Sequence, residues 1–77
     1  MQLGTYQHFR NKQFYEVIGV AYHSETDEEM VVYKALYESD QLPFGQLWVR
    51  PKKMFLEQVE HEGKWVPRFL FTLREPI

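Results

Sequence analysis

The chain has 77 residues, a formal net charge of −2, 44% hydrophobic residues and no cysteine. That length predicts one small domain over 1–77, and the missing cysteines exclude disulfides, thiolate metal sites and a cysteine nucleophile. The slightly acidic balance speaks against nonspecific nucleic-acid binding, which rests on many Lys/Arg–phosphate contacts. No apolar run is long enough to span a bilayer and no charged-then-apolar leader is visible, so a cytoplasmic chain with no membrane contact is expected.

The hydrophobic share is weighted towards six Phe, five Tyr and two Trp against only two Ala. Large rings let a short chain assemble a core, and β-branched and aromatic residues fit a pleated, half-buried surface. Thr5–Phe9 reads as a short first strand. Phe14–Tyr22 follows as a period-two run, with Phe14, Ile18, Val20 and Tyr22 on one face and Tyr15, Val17, Gly19 and Ala21 on the other. Gly19 inside it marks a bulge, a bend or a close backbone approach.

His23–Glu29 is a polar link to a second run, Met30–Tyr37, with Val31, Tyr33, Ala35 and Tyr37 on one side. Glu38–Gly45 carries Ser, Asp, Pro and Gly and reads as a loop. Leu47–Arg50 is a short strand ended by Pro51, which forces the residue before it into extended geometry.

Pro51–His61 admits two readings. Proline at a helix start with Phe55 and Val59 four apart suits two helical turns. A helical turn over Pro51–Met54 followed by a strand over Phe55–Glu60 suits the tight hairpin that Gly63 allows into a last strand, Trp65–Thr72. The strand reading is favoured because the last run needs a partner. Phe14, Ile18, Val20, Val32 and Phe69 are the expected core. The fold class is all-β: one small, strongly twisted sheet closed into an SH3-like barrel with one short helical turn, which hides the rings and removes most edges.

Tyr6-x-His8-Phe9, Tyr15-Glu16-Val17, His23-Ser24-Glu25-Thr26, Val31-Val32-Tyr33-x-Ala35-Leu36-Tyr37 and Trp48-Val49-Arg50-Pro51-x-x-Met54-Phe55 together resemble a family of short bacterial proteins classed as a domain of unknown function. The resemblance runs from Gly4 to Phe69. It implies a stand-alone, cytoplasmic, small β-barrel and no particular activity. Ser39–Phe44 looks longer than the family's usual turn.

His8, His23 and His61 share no short ligand spacing, so no metal is expected, and Gly-rich phosphate loops are absent, so no cofactor is expected either. Ser24 beside His23 points to the opposite face of an extended chain and cannot easily be activated; Ser24-x-x-Asp27 and Thr26-x-x-Glu29 fit backbone capping better. His23 and Glu25, two apart, share a side of an extended segment and form a candidate acid–base pair, with Arg50 as anion holder for a compact polar substrate. Against that enzyme stands a binding module. Trp48 and Arg50 share one strand face and Tyr33 lies on another, an aromatic and guanidinium rim suited to a peptide, protein or nucleic-acid segment. Whether Trp48 and Tyr33 are core or surface stays open at this level. The binding module is preferred, with His23, Glu25, Tyr33, Trp48 and Arg50 as binding residues and a monomer or weak homodimer as the acting form, because a pocket of roughly 300 Å³ or more is hard to spare in so short a chain.

Overall fold

A computed structural model describes residues 1–72. The chain order is β1 (Gly4–His8), β2 (Phe14–Tyr22), β3 (Glu29–Ala35), β4 (Leu47–Pro51), α1 (Lys52–Phe55), β5 (Gln58–His61), β6 (Lys64–Pro67) and β7 (Phe69–Phe71). The class is all-β with one helical turn. Five strands form an antiparallel sheet in the order β4-β3-β2-β1-β7, and β5 and β6 make a separate two-stranded ribbon. The expected barrel is not closed by hydrogen bonds: β4 and β7 are the sheet's two edges, and among the described residues no ladder joins them.

Directly opposed residues of an antiparallel pair share a face. The pairs Tyr6–Tyr15, Val17–Tyr33, Tyr15–Ala35, Tyr33–Trp48, Val31–Arg50, Tyr6–Phe71 and His8–Phe69 therefore assign one inner face across all five strands. The core is that face with a plug from α1: Tyr6, Tyr15, Val17, Val31, Tyr33, Ala35, Phe55 and Phe69 are buried. Phe55 is 1% exposed, because Pro51 ends β4 in extended geometry and the four-residue turn after it swings the ring over the sheet.

Four of the five expected core residues are corrected. Phe14 and Val32 are half-buried, and Ile18 and Val20 are 47% and 38% exposed. Only Phe69 is buried as expected. The reason lies in β2. Glu16 shares the face of Phe14 and Ile18, and it forms a 3.4 Å ion pair with Lys34 on the outer side of the sheet. A register shift between Val17 and Gly19 then puts Ile18 and Gly19 together against one partner, a β-bulge that reverses which residues face inward. Val20, opposite Val31, thus lies on the inner side yet stays 38% exposed.

Of the two readings of 51–61, the turn followed by a strand is the one found, with both elements shifted towards the C-terminus: the helical turn is Lys52–Phe55 and the strand Gln58–His61, so Phe55 belongs to the turn and a two-turn helix reaching Val59 does not form. The hairpin after it carries positive φ at Glu62 and Gly63, the pair of left-handed residues that a tight two-residue turn needs. The expected single last strand is two: a bend at Arg68 separates β6 from β7, so Trp65 leaves the face of Phe69 and is 71% exposed.

Candidate functional site

The inner face holds an open hollow of about 170 Å³ lined by His8, Tyr15, Tyr33, Trp48, Arg50 and Phe69. Its floor is aromatic. Phe69 meets His8, Tyr15 and Tyr33 edge-on at 4.9, 5.6 and 5.5 Å between ring centroids. Trp48, opposite Tyr33 on the edge strand, forms the wall and stays 41% exposed. The edge position explains this: β4 has a neighbour on one side only.

Arg50 crosses this floor. Its guanidinium carbon lies 5.7 Å from the Phe69 ring centroid, and its Nε donates to the Tyr33 hydroxyl at 3.4 Å. No described carboxylate pairs with it, whereas Lys34, Lys52 and Arg68 each have one, at Glu16, Glu29 and Glu57. None of the six lining residues is acidic. The hollow is therefore apolar at its base and cationic at its rim.

His8 adds a donor. Burial first, then the charges of Arg50, Arg68 and Arg10, hold its pKa below the ordinary histidine value, so the ring is neutral at neutral pH. The Arg10 N–H donates to its Nδ1 at 3.1 Å, which assigns the ring proton to Nε2. Tyr15 stays protonated as well, its pKa pushed up to about 12 by burial and by the 2.7 Å bond it shares with the Tyr37 hydroxyl, partly opposed by a bond from Asn11 Nδ2. Chemically, the arrangement is a fixed guanidinium and neutral donors above an aromatic floor. It suits one anionic group carried on a small apolar stem. About 170 Å³ is below the roughly 300–1,000 Å³ of whole small-molecule sites.

Of the five residues expected to bind, the structure brings Tyr33, Trp48 and Arg50 together here. The question left open for two of them resolves unequally: the Tyr33 residue is 4% exposed and core, while Trp48 is largely surface. His23 and Glu25 do not line the hollow. They lie in the β2–β3 hairpin, where residues 24–26 are a turn instead of the extended segment that would set the two side chains side by side. The Glu25 N–H donates to His23 Nδ1 at 3.2 Å, His23 N–H donates to the Glu28 carbonyl at 2.8 Å, and the Thr26 hydroxyl accepts from Glu28 N–H at 3.2 Å. The imidazole and the threonine close the hairpin.

Sequence reasoning missed His8 and Tyr15 as lining residues. Tyr6-x-His8 carried a usable signal, because period two puts both on one face. Nothing in the sequence showed that β7 would return beside β1 and set Phe69 opposite His8. No helix of the described residues is long and apolar enough to cross a membrane. Among those residues no group of three or more His, Cys, Asp or Glu could hold a metal ion.

A family model described as a protein of unknown function, DUF1653, matches residues 4–71. The chain is also similar to a crystal structure of a DUF1653 protein from Bordetella bronchiseptica: 32% sequence identity, a TM-score of 0.82, and coverage of 94% of this chain and 87% of that one. No curated protein matches.

Proposed function

The chain belongs to the DUF1653 family of unknown function, and we propose that it is a cytoplasmic binding module whose inner-face hollow takes the carboxylate side chain of a protein segment. The observation that carries this reading is Arg50: a guanidinium held by Tyr33 over the Phe69 ring, with no described acidic partner, at the mouth of an aromatic hollow. Such a group is pre-oriented, so little freedom is lost when a carboxylate docks, and charge-assisted bonds to Arg are among the stronger ones. A protein segment is favoured over nucleic acid because the net charge is −2 and one guanidinium is too few for phosphate-backbone affinity. The enzyme reading on His23 and Glu25 gains no support from the hairpin, where the imidazole is used as a backbone acceptor.

The test uses Trp48 as reporter in a Trp65→Phe variant, which leaves it the sole tryptophan. Short acetylated, amidated peptides with glutamate fixed at the centre and other positions mixed are titrated against the same pool carrying glutamine. Emission of Trp48 should respond to the glutamate pool and far less to the glutamine pool. Equal responses, or none, would overturn the reading.

A further inference from the structure

β4 is an edge strand with no described strand on its outward side. The Ala35 N–H donates to the Gln46 carbonyl and the Ala35 carbonyl accepts from the Gly45 N–H, both at 2.9 Å, so Ala35 turns its main-chain groups towards the β4 side. In an antiparallel ladder hydrogen-bonded pairs alternate with non-bonded ones. Tyr33–Trp48 and Val31–Arg50 are then the bonded pairs, and Leu47 and Val49 between them direct their N–H and C=O groups off the sheet. The Leu47 carbonyl takes a bond from the Gln46 side chain at 3.2 Å, and no described strand lies beyond β4.

We infer that the segment whose carboxylate enters the hollow is held as an added β-strand along the β4 edge. This rests on the reading of the hollow and names how its occupant is bound. Strand addition to an exposed edge draws affinity from main-chain bonds and specificity from alternate side chains. The register here makes that division concrete. A residue opposite Val49 points to the outer face, where Leu47 and Val49 are 57% and 62% exposed, and its neighbours stand opposite Trp48 and Arg50 on the inner face. The occupant is therefore an extended segment alternating apolar and acidic residues, with an acidic side chain opposite Arg50 and an apolar one opposite Val49. Charge complementarity sets that choice, since the inner side of this edge offers a cation with no described acidic partner. Pro51 ends the ladder because it has no N–H to give, so the added strand is short. The other edge fits less well: β7 is three residues long, and its approach is tied down by Arg68, whose N–H bonds the Glu57 carbonyl and whose Nε bonds the Met54 carbonyl.

Isotope-labelled protein is titrated with the glutamate-centred pool and with the same pool N-methylated at the residues flanking the glutamate, following the Trp48 indole and amide exchange of Leu47 and Val49. Slowed exchange at Val49 with the first pool, and binding weakened about tenfold or more by N-methylation, are expected from the loss of main-chain bonds. If the Trp48 indole responds equally to both pools while Val49 exchange is unchanged, the edge inference falls and the hollow reading stands. If the indole responds to neither pool, both fall.

Discussion

Phe55 and Phe69 stack face to face, with ring centroids 4.1 Å apart and planes 3° from parallel. Their other neighbours in the core meet them edge-on: Tyr6 and Tyr33 against Phe55, Tyr15 and Tyr33 against Phe69. The stack joins the helical turn to the short edge strand β7, and Phe69 is also the floor beneath Arg50. Packing and site thus share one ring.

Phe55→Ala should cost about 3–5 kcal/mol, the usual loss for a buried phenylalanine with its cavity. A domain of this size has only on the order of 4–12 kcal/mol in total. Urea unfolding followed by circular dichroism checks this. The double variant with Phe69→Ala should cost less than the two single losses added together, because both remove the same stack.

Stability should fall below about pH 6.5 through His8. Its native pKa is lowered, so between the unfolded value near 6.5 and that lower value the unfolded chain binds the extra proton. The stabilising contribution is complete above the unfolded pKa and is lost as pH drops through the window. His8→Gln should flatten that part of a melting-temperature profile, and an unchanged slope would show that other groups supply it.

The opposite sign holds for Tyr15. With its native pKa pushed up to about 12, its contribution is complete below the unfolded value near 10 and is lost as pH rises through the interval. Ultraviolet titration of tyrosinate should show late-ionising groups, and Tyr15→Phe should remove one of them. Tyr6, raised by burial, remains another.

Gly19→Ala should be neutral or stabilising by up to about 1 kcal/mol. A Cβ at this position meets nothing within 4 Å, and its φ is outside the left-handed region. The bulge is set by strand register. Thermal unfolding of the variant decides the point, and a loss above that amount would mean the bulge needs glycine itself.

Alternation at 14–22 and 30–37 predicts the central strands, and Gly63 predicts the ribbon hairpin, because both signals are local. The choice of face was also present, in Glu16 beside Phe14 and Ile18 and in Lys34 beside Val32, the two charges that now pair on the outer side. The bulge hid it, since a single extra residue reverses the faces within β2. Pro67 similarly marked the end of β6 before the bend at Arg68. The hollow was legible in halves: Trp48 and Arg50 share a strand face by simple parity, while His8 and Phe69 meet only through the non-local β1–β7 pairing.

Capture of a carboxylate by Arg50 is tested by a double-mutant cycle on binding. Calorimetric affinities are measured for native and Arg50→Gln protein with the glutamate-centred and glutamine-centred pools. Coupling of about 1.5–3 kcal/mol is expected: either single charge removal weakens binding roughly tenfold or more, and removing the second charge adds little, with Arg50→Gln still folded at the measuring temperature. Additive effects, with Arg50→Gln binding both pools as the native chain does, would contradict it.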